Sequence, residues 1–428
     1  MTPTISVIIP TYNRAALLRR TLESLEAQRL PAGELEVVVA DDGSSDDTRE
    51  VVRLFEPRLR LRYHFQADEG FRAAAARNAG ARLATAAVLA FVDTGVLAGP
   101  DFARMHRDAH APADAPPATG PRAVLGRVYG YNTEDPWPEL ASVLDRLDAE
   151  EAVVRFGADP RFRDMREDIF MPVNSDLRRL FAPWYLCWTV NLSVRAVDFW
   201  AVGGFDEDFC GWGGEDQDLG YRLMRAGVEL VASPLAWGIE IPHERASNDN
   251  LTSSVNNALL FLYKHPDPVV ELYYSLYLSH QSAPRLSSAY AEFSEGYRAL
   301  CEWTARARAM DVENEVARAV EQALEIAGKS ACILVLGCGG AVPPSLPDWG
   351  AVMDFDGVLL ARALADGRYW GRHCVGIATT LRDTFDVVII SSRLAGLWDR
   401  WGGLVLAEAD RLAPVVLVPF LQAHLRAL

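Results

Sequence analysis

Lysine is nearly absent from this chain of 428 residues, since only Lys264 and Lys329 are lysines among 42 basic residues. With its alanine excess, this looks like GC-rich coding bias and carries no mechanism. Cysteine is sparse too. Cys187, Cys210, Cys301, Cys332, Cys338 and Cys374 are scattered and form no C-x-x-C pair, which excludes a disulfide scaffold or a zinc ribbon and reads as reduced, mostly buried thiols. No apolar run reaches the ~20 residues that span a bilayer, because Leu89–Val92 is stopped by Asp93. No basic segment precedes Ile5–Ile9, and Pro10 and Asn13 soon follow, so a secretory signal is not expected. Positive charge is in deficit, with a formal net charge of -16, which disfavours nucleic acid and anionic lipid as partners. The expectation is a soluble, cytoplasmic protein without a membrane span.

What is present is ample apolar material. Half of the residues are hydrophobic and 23% charged, enough to build cores throughout, and the length suggests two or three domains. Ile5–Ile9 and Leu35–Val39 are short β-branched runs flanking a helical pattern at 15–28, a β-α-β unit. A further helix ends near Ala84 and a strand at 87–92 stops at Asp93. This alternation predicts a mainly parallel α/β sheet whose ligands gather beyond the strand carboxyl ends, where Asp41, Asp42 and Asp93 fall. A proline- and alanine-rich break at 111–120 reads as a loop, and 145–180 as an irregular, charged insertion near an acceptor. Helical spacing then dominates 259–328, before a strand and glycine turn at 333–340. The expected division is 1–250, a helical linker at 251–330, and a smaller α/β domain at 331–428.

Three segments carry chemistry. Pro10-Thr-Tyr-Asn13 and Ala40-Asp-Asp-Gly-Ser44 end the first two strands, so their turns face one crevice. A carboxylate there can accept the imide N–H of uracil or thymine; it can equally cap the next helix. Gly70–Gly80 places Arg72 and Arg77 on a small-residue helix, where a guanidinium can grip a diphosphate or simply be solvated. Gly211-Trp-Gly-Gly-Glu-Asp216 runs an aromatic glycine turn into adjacent acids at a helix start. Acids suit any helix N-terminus, but Trp212 and three glycines ahead of them make a cleft suited to a sugar.

Pro10–Asn13, Asp41–Ser44 and Ala76-Arg-Asn-Ala-Gly80 resemble, in order, the motifs of family 2 glycosyltransferases. Trp212–Asp216 followed by His243 is similar to the carboxyl-terminal half of animal β-1,4-galactosyltransferases and bacterial chondroitin polymerase domains. Together the resemblance spans roughly residues 4–250. It implies a Rossmann-like GT-A fold and an inverting glycosyltransferase using a nucleoside-diphosphate sugar, with UDP favoured. By position it implies Pro10, Tyr12, Arg14, Asp42, Arg72, Arg77 and Asp93 at the nucleotide. It places Trp212, Gly213 and Gly214 at sugar or acceptor, Asp216 as general base and Glu215 positioning the acceptor; Trp184 and Trp188 lie in a stretch resembling the segment under the acceptor, where they either stack on a sugar or, the favoured reading, pack in the core. Where the family shows Asp-x-Asp, this chain reads Asp93-Thr-Gly95, so a Mn or Mg site would rest on Asp93 and His243, with Glu240 three residues before the histidine.

Val335-Leu-Gly-Cys-Gly-Gly340, Asp354-Phe-Asp356 and Phe385–Ile390 resemble part of a class I methyltransferase. Pro343, Pro344 and Pro347 oppose the helix that should follow the glycine turn. The unit reads as a degenerate Rossmann-like domain without S-adenosylmethionine, used for packing, acceptor docking or pairing two copies into a homodimer. The acceptor is expected to be a natural product, peptide or glycan. The alternative is a non-catalytic nucleotide-sugar-binding scaffold.

Overall fold

A computed structural model describes all residues except 1, 32, 111–119, 133, 244–246, 280–284, 383 and 422–428. Most of the loop expected at 111–120 therefore lies outside the described residues. The chain forms two compact units, residues 1–257 with 285–287, and residues 258–284 with 288–428.

The first unit begins with β1 (Ile5–Thr11), α1 (Ala15–Glu26), β2 (Leu35–Asp41), α2 (Thr48–Phe55), β3 (Leu61–Phe65), α3 (Ala73–Leu83) and β4 (Val88–Val92). It continues through β5 (Val96–Ala98), α4 (Phe102–His110), β6 (Arg122–Tyr129), α5 (Leu140–Leu144), α6 (Ala149–Phe156) and α7 (Glu167–Phe170). β7 (Asn191–Arg195), α8 (Ala196–Ala201), α9 (Glu215–Arg225) and β8 (Glu229–Glu240) complete it. The strands join one sheet in the order β3-β2-β1-β4-β7-β6-β8-β5. β3, β2, β1 and β4 run parallel, with Ile5 opposite both Leu35 and Val88. Such strands are covered on both faces, which is why Ile5–Ile9 is apolar but for Ser6, whose hydroxyl donates to Glu36, and is wholly buried. Leu18, Leu22 and Leu25 of α1 pack on it. β7 reverses direction against both β4 and β6.

Beneath α4 lies a buried polar chain. Asn191 Nδ2 donates to the carbonyls of Arg127 and Ala236, which fixes its Oδ1 as the acceptor for His106 Nε2 at 2.7 Å. His106 Nδ1 then accepts from Ser193 Oγ, 2.8 Å away, and Ser193 in turn accepts from His110 Nε2 at 2.8 Å. This arrangement has both imidazoles neutral, the form that burial favours. Burial is the leading cause that pushes them down, His106 to about 4 and His110 to about 3. A histidine depressed in the folded state binds its proton more readily when unfolded, so stability is complete above pH 6.5 and falls with acidification. His106 alone should remove ~3 kcal/mol between pH 6.5 and 4. The check is the pH dependence of thermal unfolding beside His106→Gln; an equally steep acid limb in the variant refutes the assignment.

The second unit is built on α10 (Ser247–Lys264), which enters it from the first, then α11 (Pro268–Ser279), α12 (Leu286–Ala307), α13 (Glu313–Ala327), β9 (Ile333–Leu336) and β10 (Ala351–Asp354). α14 (Gly357–Ala363), β11 (Trp370–His373), β12 (Val387–Ile390), α15 (Trp398–Leu412) and β13 (Val415–Leu417) follow. Its sheet is parallel, in the order β11-β10-β9-β12-β13. As the prolines at 343, 344 and 347 predict, no helix forms between β9 and β10. α13 shares a core with β9, β10 and β12 through Val316, Val320 and Ala323, so contacts group most of the helical stretch 251–330 with the sheet that follows it.

The crevice beyond β9 and β12 is filled by the chain itself. Arg393, fully buried, forks onto Asp354 at 2.9 and 3.0 Å, and Arg308 forks onto Asp356 at 2.8 and 3.2 Å. The two acids that resemble cofactor ligands are thus already neutralised by internal arginines.

Candidate active site

The parallel strands deliver three turns to one end of the first sheet: Tyr12–Arg14 after β1, Asp42–Asp47 after β2 and Asp93–Gly95 after β4. The first two are bound together. Asn13 adopts a left-handed φ of 50°, its N–H donates to Ser44 Oγ at 2.8 Å and its Oδ1 accepts from Ser45 N at 2.8 Å. Ala15 N donates to Asp46 Oδ2 at 2.9 Å. Arg14 sits at the N-cap of α1.

Asp42 is buried and accepts from Gln66 Nε2 at 2.6 Å and Arg72 N at 2.9 Å. Tyr12 is half-exposed and donates its hydroxyl to Asp68 at 2.8 Å. Arg72 caps the start of α3, and its guanidinium donates to Glu69 at 2.6 Å and to the Ala67 carbonyl at 2.5 Å. Gln66 and Asp68 carry no motif and were not legible as site residues.

α3 lies close on the sheet because its residues are small: a Cβ on Gly80 would stand 2.6 Å from Ile8 Cγ2. This brings Arg77 inward, 5% exposed, with Nη2 on Asp93 at 2.9 Å and Nη1 on Glu215 at 2.9 Å. The sequence suggests an arginine reaching for a diphosphate. In the structure both arms of the guanidinium engage carboxylates, and although burial works to lower its pKa, those carboxylates raise it.

Glu215 and Asp216 open α9, where unpaired helix N–H groups favour negative charge. The preceding turn needs its glycines. Gly214 has φ +97°, and a Cβ there would stand 2.9 Å from Asn257 Cβ. Asn257 Nδ2 also donates to the Gly213 carbonyl at 2.6 Å, while Trp212 leaves its ring 43% exposed. Asp216 is half-buried, and burial first, then the charge of Glu215, raise its pKa well above the ordinary carboxylate range. Glu215 Oε2 is buried without a hydrogen-bond partner. α9 rests on Cys187, since a Cβ on Gly220 would come within 2.5 Å of Cys187 Cβ.

Gly95 occupies the place of the second acid and takes φ +101°, a conformation in which any L side chain is strained. Beside it, Ile241 N donates to the Gly95 carbonyl at 2.9 Å and Glu240 pairs with Val96. His243 Nδ1 donates to the Ile241 carbonyl at 3.0 Å, the tautomer in which Nε2 carries the lone pair. No group of three or more metal-ligating side chains is assembled among the described residues.

Trp188 lies three residues before β7. Its indole N–H donates to the Tyr185 carbonyl at 3.2 Å, Arg166 lies 5.1 Å from the ring centre, and Tyr131 packs at 5.5 Å. It is partly buried and packs against the core beneath the sheet. Trp184 is entirely buried.

Residues 6–107 match the family model "Glycosyl transferase family 2", and residues 175–245 match "N-terminal domain of galactosyltransferase". A validoxylamine A glucosyltransferase from Streptomyces hygroscopicus subsp. limoneus is 43% identical over 426 residues, 98% of this chain and 91% of the relative. The chain belongs to the family 2 glycosyltransferases. The transferase is also 31% identical over 256 residues to chondroitin synthase of Escherichia coli, covering 58% of this chain and 37% of that one. Among solved structures it is similar to S. aureus TarS 1-349 in complex with UDP-GlcNAc, with TM-score 0.43 and 15% identity over 94% of this chain and 90% of the other. No helix among the transferase's described residues is long and apolar enough to cross a membrane.

Proposed function

We propose that this transferase moves a hexosyl group from a UDP-sugar to a hydroxyl of a small-molecule acceptor, with inversion and with Asp216 as general base. The observation that carries the reading is the half-buried, partly desolvated Asp216 at the start of α9, joined through Glu215 and Arg77 to Asp93 at the nucleotide end of the sheet. A relative matched over nearly both full lengths is named for glucosyl transfer to validoxylamine A, which supports glucose and a small acceptor. In the proposed step Asp216 takes the acceptor hydroxyl proton as that oxygen bonds to the anomeric carbon. The bond from that carbon to the diphosphate breaks on the opposite face, so one displacement inverts the centre.

Asp42 accepts two hydrogen bonds from the protein, and a carboxylate has about four lone-pair sites, so capacity remains for the uracil imide N–H. Pro10, Tyr12 and Arg14 flank that position, and Trp212 with Gly213 and Gly214 lines the sugar side. A divalent ion bridging a diphosphate needs only one or two protein groups, and Asp93, whose side chain is 40% exposed, and His243 suit that number. Mn2+ or Mg2+ held there would neutralise charge on the departing diphosphate. The second unit is proposed to bind no S-adenosylmethionine, because Arg393 and Arg308 already engage Asp354 and Asp356.

Calorimetric titration tests donor and ion together. Micromolar UDP binding, at least about tenfold weaker for GDP and strengthened about tenfold by Mn2+, is the expected result. Equal affinity for UDP and GDP would overturn Asp42 as the base reader. Indifference to Mn2+ would remove the ion from Asp93 and His243.

A further inference from the structure

We propose that Asn78 is a positioning residue for transfer, holding the segment that presents Glu215 and Asp216 in register with the donor. This rests on the assignment of that pair to the chemistry. Asn78 follows Arg77 on α3 and is 2% exposed. Its Nδ2 donates to the Phe205 carbonyl at 2.8 Å and its Oδ1 accepts the Phe205 N–H at 2.9 Å. One amide side chain thereby satisfies both polar groups of a single backbone residue, as a neighbouring strand would. Among side chains of this length only an asparagine offers a donor and an acceptor side by side without charge.

The same Nδ2 reaches Glu207 Oε1 at 2.8 Å, and Arg82 of α3 meets that oxygen at 3.2 Å. Phe205 is held by its ring as well, 5.6 Å beneath the Arg77 guanidinium and edge-on to Phe91 at 5.1 Å. Phe205 immediately precedes the segment 206–214, and Glu215, gripped by Arg77, immediately follows it. Successive residues of one helix therefore clamp the two ends of the acceptor segment. Between them the chain is glycine-rich, with φ of 79°, 87° and 97° at Gly211, Gly213 and Gly214, and is held further by Asn257, which donates to the Cys210 and Gly213 carbonyls. Glycine is also required at 204, where a Cβ would meet Asn78 Oδ1 at 2.7 Å.

Asn78 touches no reacting atom, so its signature is a split between kinetic constants. Asn78→Asp keeps the acceptor for Phe205 N–H but sets a carboxylate against the Phe205 carbonyl and Glu207. A small misplacement of a catalytic group costs about 10²-fold, so kcat is expected to fall by that factor while the UDP dissociation constant stays within about twofold. Adding Glu207→Gln to Asn78→Asp supplies a donor to the introduced carboxylate and should restore at least about tenfold of kcat, which ties the effect to this contact. Should the aspartate variant not fold, Asn78→Ser, which cannot overpack, is read in the same way. A folded variant with normal kcat, or one whose loss lies in UDP affinity, overturns the proposal. Asp216→Asn assayed alongside separates the two readings: activity there defeats the base assignment, whereas an inactive Asp216→Asn beside a normal Asn78→Asp defeats only this one.

Discussion

Asp216→Asn is expected to lower kcat by about 10³-fold, within the range that a positioned base contributes, while UDP binds as before. Asparagine keeps the shape and cannot take a proton. It also removes one of two adjacent acids, and Asp216 is the one whose charged form is penalised by burial and by Glu215. The sign for stability follows from that direction. A carboxyl raised in the folded state contributes stability below its unfolded pKa and loses it as pH rises through its folded pKa. The variant should therefore unfold no more easily than the parent at neutral pH, and more stubbornly if Asp216 is charged there. In the parent, kcat should climb with pH through a limb lying above the ordinary carboxylate range. Initial rates across pH, with calorimetry for UDP, measure all of this; a variant turning over at the parental rate ends the assignment.

Arg77→Met should strongly destabilise the first unit. Its guanidinium is buried and stands between Asp93 and Glu215, with Asp216 close enough to raise its pKa further. Removing one partner of a buried ion pair costs about 3–5 kcal/mol because the other charge stays behind without compensation. Arg77→Lys should recover only part, since an ammonium lacks the planar fork that reaches two carboxylates in different directions. The loss should shrink in acid, where the abandoned carboxyls take up protons. Urea unfolding at pH 7 and pH 4 reads both effects; a midpoint unmoved at pH 7 would mean that the bridge contributes nothing.

Much of this site is legible in the sequence because parallel α/β geometry is strict. Once Ile5–Ile9, Leu35–Val39 and the run before Asp93 are strands, their trailing turns must gather at one end, and Asp42 and Asp93 go with them. The glycine-rich turn into Glu215 and Asp216 is equally plain. What pattern could not reveal is pairing across distance. Arg77 and Glu215 are 138 positions apart, and nothing local distinguishes an arginine that meets ligand from one that meets buried acids. Asn78 lies within a quoted motif, yet its partner Phe205 is a backbone group and leaves no mark on composition. Trp188 is ambiguous for a related reason: an aromatic ready to stack on sugar and one packed near Arg166 look alike in sequence. In the second unit the three prolines announce the missing helix, whereas Arg393 and Arg308 give no local sign that they will engage Asp354 and Asp356.

The left-handed backbone at Gly211, Gly213 and Gly214 limits how this transferase can diversify. Substitution at any of the three strains the turn, so Trp212 is the one position between Cys210 and Glu215 where a side chain can change without bending the chain. Side-chain variation in this turn is therefore funnelled through a single codon, and a screen restricted to Trp212 would sample most of the chemistry that the turn permits.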